Sequence, residues 1–327
     1  MAVHQWLRAP FTHDPVRRRI YPNDVYFRET AALLDRRDVP ETTRSLRRGT
    51  FVMFKPDAVV GRRIEPALAF LAEHGFAPLG ALAVPVDARV CRELWRYQIN
   101  AAPLAVIRAV DMILESGPPC LFVPLRDTQG PERTGMTAAE RLAELKGSSK
   151  NRAANGSSLR EALGCELMCL NFLHAPDDPA DLIREVGVLL PGRQRDEAFT
   201  LLAGDPSPRC DAEVAAAARR LYAAHPAHSL EPPAHPVGHL AAWSGPRRPT
   251  DAAGLSDRLD QLTEGDSGLP LWDRIVIAAQ LVEGLPSEGR ALIGPPPGTR
   301  PTHPLAVGAA RTGDTQNPTA AAVPSDR

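Results

Sequence analysis

The chain has 327 residues, 38 of them Lys or Arg against 39 Asp or Glu, for a net charge of -1. That length supports one or two domains with a real core, and the balanced charge gives no support for a nucleic-acid-binding surface. No stretch of about 18 apolar residues exists to span a membrane, and the first residues lack the apolar centre of a signal peptide. The expectation is a soluble, cytoplasmic protein with no membrane partner. Five cysteines, an odd number without repeated spacing, argue against a disulfide framework. Cys165 and Cys169 read as buried thiols.

Residues 1–49 are polar and Arg-rich, and read as an N-terminal extension with one helix at "RETAALLDRRD". Its expected use is packing or partner contact. "TFVMFKP" reads as a buried strand stopped by Pro56. In "GRRIEPALAFLAEHG", Ile64, Ala67, Leu68 and Leu71 recur at helical spacing, and Gly75 suits the C-terminal cap. "FAPLGALAVPV" predicts a second strand, residues 87–99 and 103–116 two helices, and "PPCLFVPL" a third strand. "MTAAERLAELKG" predicts a helix that runs into the Gly/Ser/Lys-rich loop "KGSSKNRAANGSS". "CELMCLNFLH" predicts a fourth strand. In the following helix, "DDPADLIREVGVLL", Asp178 suits the N-cap, Pro179 the first turn and Asp181 the positive end of the dipole.

The order β-α-β-α-α-β-α-β-α over residues 50–190 predicts an α+β fold. It fits a ferredoxin-like, split βαβ antiparallel sheet with helices on one face. Residues 191–293 carry three helix-like segments, "DEAFTLLAG", "DAEVAAAARRLYAA" and "LWDRIVIAAQLVEGL", and read as a mostly helical extension. Residues 294–327 are rich in Pro, Gly, Ala and Thr, and predict a disordered tail.

The chemistry-bearing patterns narrow quickly. G-x-x-x-x-G-K-[ST], G-x-G-x-x-G after a strand, and G-x-S-x-G are all missing, which excludes the corresponding phosphate cradle, dinucleotide site and nucleophile elbow. Phosphate-friendly residues remain: Lys55, Arg141, Lys146, Ser148, Ser149, Lys150, Arg152, Ser157, Ser158 and Arg160. On composition alone they read as a solvated basic loop more readily than as a site. His225, His228, His235 and His239 stand at spacings that can hold Zn²⁺, but no Cys or carboxylate joins them, so no metal site is assigned. Asp57 reads as a structural cap, and Glu140 with Glu144 as a solvated helix pair. His174 ends an apolar run, with Asn171 three residues before it and Asp177 and Glu185 after it.

"TFVMFKPDAV", followed about 120 residues later by "NFLHAPDDPADLIREVGVLL", resembles the nucleoside diphosphate kinases. That family opens on a strand ending in K-P-D-[AG]-V. It closes on N-x-[IV]-H-G-S-D and a helix with a glutamate eleven residues past the histidine. Lys55 to Val59 match the first motif. Asn171, His174, Asp177 and Glu185 match the second. "ESGPPCLFVPL" looks like the family's "NSGP" strand entry, and Arg141 and Arg160 look like its two phosphate-contacting arginines. The resemblance covers residues 50–190.

It implies a phosphotransferase that moves the γ-phosphate of a nucleoside triphosphate to a nucleoside diphosphate or related acceptor. His174 would carry the group as phosphohistidine, and Mg²⁺ would arrive with the nucleotide. It further implies Glu185 as the partner of the other ring nitrogen, and Lys55, Arg141, Arg160, Ser148 or Ser149, and Asn171 as nucleotide-binding residues. It also implies assembly into a homo-oligomer. An unperturbed imidazole is largely neutral at physiological pH and is a competent nucleophile. Ala175-Pro176 stands where the family keeps Gly-Ser, and the family's aromatic base clamp has no clear counterpart. A catalytically weakened nucleotide-binding or interaction protein on the same fold is therefore the alternative.

Overall fold

The computed structural model describes residues 2–148, 158–231, 252–263 and 268–293. The predicted disordered tail, Ser149, Lys150, Arg152, Ser157, His235 and His239 lie outside the described residues.

Three helices precede the first strand: α1 (Pro15–Ile20), α2 (Val25–Leu34) and α3 (Val39–Arg48). Each starts on an aspartate, Asp14, Asp24 or Asp38, whose carboxylate accepts from backbone N–H groups of the first turn. The sequence predicts only one helix here. α3 escapes because few of its residues are apolar, yet Thr42, Ser45 and Leu46 are buried.

β1 (Gly49–Phe54) is followed by α4 (Pro56–Val60) and α5 (Ile64–Glu73), then by β2 (Phe76–Pro78) and β3 (Leu82–Val84). The single second strand of the sequence reading is thus two short ones. Between them Leu79 N–H still donates to Pro124 O, and Gly80 takes a φ of 151°. α6 (Ala88–Leu94), α7 (Arg96–Ile99) and α8 (Leu104–Leu114) lead into β4 (Cys120–Asp127). The helix predicted over 87–99 breaks at Trp95, which leaves helical geometry (φ -103°, ψ 23°). α9 (Pro131–Thr134), α10 (Ala138–Lys146) and α11 (Leu159–Ala162) precede β5 (Leu173–His174). Glu140, expected to be solvated, closes a capping box with Thr137 at the start of α10. α12 (Pro179–Leu189), α13 (Gly192–Ala203), α14 (Pro208–Ala224), α15 (Ala252–Thr263) and α16 (Leu271–Val282) complete the order.

The fold is α+β. The sheet runs β2–β4–β1–β5, with β3 also paired to β4, and every pairing is antiparallel. β1 and β2 both oppose β4, so they run parallel with β4 between them. β4 and β5 both oppose β1 and form the second such unit. This is the split βαβ, ferredoxin-like arrangement.

Helices cover both faces of the sheet, where the sequence reading placed them on one. All six β1 residues are buried. Phe51 and Met53 pack among residues of α2, α6, α12 and α13. Val52 and Phe54 pack among residues of α4, α5, α10 and α14. A strand covered on both faces reads as a continuous apolar run rather than an alternating one, as "TFVMF" does. The N-terminal helices and α13 therefore belong to the core of the sheet unit.

The fourth strand is a larger correction. Only Leu173–His174 of the predicted run is strand. The residues before it are apolar because they lie under helices: Cys169 and Leu170 are buried with residues of α8, α15 and α16. Met168 N–H donates to Glu283 Oε2 (2.6 Å), and Phe172 has a φ of 66°. Burial against helices and burial in a sheet leave the same apolar signature. In the second extension, α15 is an element that the sequence reading does not contain.

Candidate functional site

The β1–β5 ladder sets the site. Met53 faces His174 and Phe54 faces Leu173 in register, so the chain leaving β1 at Lys55 runs beside the chain entering β5. Two backbone links lock this crossing. Lys55 N–H donates to Phe172 O (2.9 Å), and Phe172 N–H donates to the buried Asp57 carboxylate (2.9 Å). Asp57 is thus a structural brace across the two motifs.

His174 sits at the strand end with both ring nitrogens engaged. Nε2 lies 2.8 Å from Glu185 Oε2, and Nδ1 lies 3.3 Å from the indole Nε1 of Trp95. An indole N–H can only donate, so Nδ1 accepts. A neutral imidazole then carries its proton on Nε2 and donates it to Glu185. The His174 side chain keeps 14% exposure. Burial first, then the Lys146 ammonium with Arg160 and Lys55, pushes its pKa well below the ordinary histidine value, while Asp181 acts the other way. Burial, then Asp181 and Asp177, pushes Glu185 well above the usual carboxylate range.

A cavity of about 270 Å³ is lined by His174 and Trp95. Lys55, Arg160, Asn171 and His174 line one end, and Trp95, Ile107, Val110 and Met168 are among the residues of its apolar wall. Lys55 is buried, with Nζ 2.9 Å from Cys169 O and 3.6 Å from Asp57. Arg160 donates to Gly147 O (2.7 Å) and Leu173 O (3.1 Å), while its buried Nε has no hydrogen-bond partner. No carboxylate among the described residues forms a salt bridge with it. Burial pushes its guanidinium down to about 10. Of the two buried cations that line this end of the cavity, Lys55 is paired with Asp57, and Arg160 has no carboxylate partner among the described residues.

The other expected residues are placed as follows. Asn171 lines the cavity and donates from Nδ2 to Met168 O (2.8 Å). Arg141 does not reach the cavity. Its guanidinium binds Asp127 (2.6 Å) and His74 O and lies 4.6 Å over the Phe76 ring, which braces α10 on the sheet edge. Ser148 is described but does not line the cavity. Lys146, in the sequence's phosphate-friendly set, lies under the histidine loop, with Nζ donating to Ala175 O (2.9 Å) and Asp177 (3.4 Å). His228 pairs with Asp273 (3.0 Å). Among the described residues no group of three His, Cys, Asp or Glu is placed to hold a metal ion.

Two contributors escape sequence reasoning. Trp95 is one: it breaks a predicted helix, and nothing in its neighbourhood marks it for the histidine. The N-terminal extension is the other. Arg17, buried, lies 3.0 Å from Asp177, 3.3 Å from Asp178 and 3.6 Å from Asp181. Tyr21 Oη donates to Asp181 (2.6 Å), and Thr12 Oγ1 to Asp178 (2.6 Å). Burial works against ionisation of Asp181, but Arg17 and the Tyr21 hydroxyl hold it below the usual range. The first turn of α12, the helix that carries Glu185, is therefore pinned by residues 12–21.

No protein-family model matches the chain, and no curated protein matches it. Solved structures of nucleoside diphosphate kinases are similar to part of it. The apo enzyme from Encephalitozoon cuniculi is 18% identical, with a TM-score of 0.36, over 44% of this chain and 90% of that one. The enzyme from Halobacterium salinarum, in complex with CDP, gives the same identity and TM-score over 44% and 88%. The enzyme from Borrelia burgdorferi, with vanadate and ADP as a transition-state mimic, is 18% identical, with a TM-score of 0.32, over 46% and 94%. Among the described residues no helix is long and apolar enough to cross a membrane.

Proposed function

We propose that this chain is a phosphotransferase in which His174 Nδ1 takes the γ-phosphoryl group of a nucleoside triphosphate and passes it to a nucleoside diphosphate or a related acceptor. One observation carries the reading: His174, with Nε2 2.8 Å from Glu185, lines a cavity together with Lys55 and Arg160. In the transfer, the Nδ1–P bond forms as the bond from Pγ to the bridging oxygen breaks. The leaving diphosphate keeps that electron pair. The Nε2 proton stays in the hydrogen bond to the Glu185 carboxyl oxygen, which holds the ring in place as charge develops on the imidazole. Lys55 and Arg160 stabilise the equatorial oxygens, since phosphoryl transfer mostly requires alignment and charge neutralisation. Asn171 holds the sugar or phosphate edge. Reversal with a second diphosphate regenerates the imidazole.

Among the described residues no carboxylate lines the cavity, and Mg²⁺ is expected to arrive as part of the substrate, on the nucleotide phosphates. The chain is expected to act in the cytoplasm and as a homo-oligomer.

The test is incubation with γ-labelled ATP and Mg²⁺. The expected result is an acid-labile, alkali-stable label on the wild type that His174→Ala abolishes and Glu185→Ala slows. No label with any of the common nucleoside triphosphates overturns the reading. The replacement of Gly-Ser by Ala175-Pro176 favours a second one, a nucleotide-binding protein without transfer. Calorimetric binding of ADP that survives His174→Ala, with no label on the wild type, would establish it.

A further inference from the structure

Both nitrogens of His174 are occupied in the resting protein, and only one occupant belongs to the histidine's own motif. Glu185 holds Nε2. Trp95, 79 residues away on the broken segment between α6 and α7, holds Nδ1. The two rings meet edge to face, with centroids 5.4 Å apart and planes at 86°. That geometry aims the indole N–H at Nδ1, and both residues line the cavity.

We infer that Trp95 is a positioning residue that keeps the His174 imidazole neutral, fixes its proton on Nε2 and reserves Nδ1 until an incoming phosphoryl group displaces the indole. The inference rests on the reading of His174 as the phosphate carrier, but its physics needs no turnover. An indole N–H has no acceptor capacity. If Nδ1 gains a proton, two N–H groups face each other, and the imidazolium loses a hydrogen bond that the neutral ring keeps. If the proton moves from Nε2 to Nδ1, the same clash arises. Trp95 therefore disfavours both wrong states of the ring.

The charged groups around His174 cannot select the tautomer in this way. Lys55 at the end of β1, Lys146 on α10 and Arg160 on α11 oppose the imidazolium. Asp181 on α12 favours it, and Glu185, on the same helix, lies 2.8 Å from Nε2. Among these, Glu185 alone contacts the ring, and a carboxyl group can accept from Nε2–H or, when protonated, donate to Nε2. The donor-only indole removes that ambiguity. It also explains why α6 ends where it does: Trp95 leaves helical geometry at the point where its ring turns to the histidine.

The test uses two replacements. Trp95→Phe keeps an aromatic ring without the N–H. Benzothienylalanine at position 95 keeps the bicyclic shape with sulfur in place of N–H, so a packing defect in the first variant cannot mimic the result in the second. Imidazole ¹⁵N shifts and the His174 pKa are read by NMR on unphosphorylated protein, with His174→Gln assigning the signals. The wild type should show an acceptor-type Nδ1 and a protonated Nε2. Both replacements should raise the His174 pKa by between about a third of a unit and one unit, the equivalent of one hydrogen bond. They should also populate the second tautomer, and the acid limb of the labelling rate should move up by the same amount. An unchanged pKa and ¹⁵N pattern in the benzothienylalanine protein overturns the inference. If the NMR changes appear while no label ever forms, the proposed function fails and the role of Trp95 stands.

Discussion

Arg160→Met separates a structural cation from one that waits for a ligand. Arg160 keeps 8% exposure, donates to two carbonyls and leaves Nε without a hydrogen-bond partner. Burial pushes its pKa down to about 10, against an ordinary arginine value above 12. At about 1.36 kcal/mol per pKa unit, holding that charge in the unliganded fold costs roughly 3 kcal/mol. The sign is clear: a depressed cationic pKa opposes folding at every pH below about 10. Methionine removes that cost and forfeits two charge-assisted hydrogen bonds to carbonyls, each contributing about 1.5–3 kcal/mol. The unliganded variant should therefore range from as stable as the wild type to less stable by at most about 3 kcal/mol. Binding should suffer instead. Losing one or two charge-assisted hydrogen bonds to phosphate, at roughly 1.5–3 kcal/mol each, weakens ADP binding by at least about tenfold. Arg184→Met is the control. That guanidinium, 1% exposed, lies 2.8 Å from the buried Asp24 and also donates to Glu93 O and Leu94 O. Its removal strands a buried carboxylate and should cost about 3–5 kcal/mol. Thermal unfolding with and without ADP, and calorimetric titration, read both quantities. If Arg160→Met destabilises the unliganded protein as much as Arg184→Met, or leaves ADP affinity unchanged, the anion-site reasoning is wrong.

The depressed pKa of His174 gives a pH prediction. Its folded value lies well below the unfolded value, so the neutral imidazole that the proposed transfer needs persists below the ordinary histidine range. The labelling rate should stay level as pH falls from 7.5 through about 6.5 and decline only below that. Over the lower window the unfolded imidazole takes up a proton that the folded one refuses. Stability should therefore fall with pH there, and His174→Gln should flatten that slope in urea melts. Gly187→Val tests the packing of α12 on α2. A Cβ at this position would lie 2.7 Å from Tyr26 O, and the clash should cost at least about 2 kcal/mol by thermal melt. Arg17→Met leaves Asp177, Asp178 and Asp181 without their shared cation, with an expected loss of about 3–5 kcal/mol. Arg17→Lys should recover part of it.

The sheet and the histidine motif are legible in the sequence for different reasons. β1 and β4 are buried on both faces, so "TFVMF" and "CLFVPL" announce themselves as apolar runs. Asp178-Pro179 sets the start of α12 through local chemistry alone, an aspartate cap and a proline in the first turn. Arg141 shows the limit. Its charge and position suit a phosphate, but Asp127, buried on the neighbouring strand, claims it. An ion pair made by a tertiary fold leaves no local mark on either partner. Trp95 and Arg17 are hidden by the same rule in reverse: each meets the histidine machinery only because the chain folds back, from 79 residues away for Trp95 and 160 for the Arg17 contact to Asp177.

Ala175-Pro176 then takes on a definite meaning. In the sequence it stands where the motif that the chain resembles has Gly-Ser. In the fold, both residues are buried, and the loop is held without a serine. Lys146 binds Ala175 O, Arg17 and Lys146 bind Asp177, and Asp177 N–H donates to Asp181 (3.3 Å). Glu185 reaches Nε2 directly at 2.8 Å. A proline with no N–H to satisfy suits a buried turn with few acceptors, and cations from α10 and the N-terminal helices do the fixing. The N-terminal extension is thus tied to the altered loop. Restoring Gly-Ser at 175–176 should change the histidine–glutamate contact little. Deleting residues 1–24 should cost the fold far more, because it removes Arg17, Thr12 and Tyr21 from the buried Asp178 and Asp181 and the half-buried Asp177 at once.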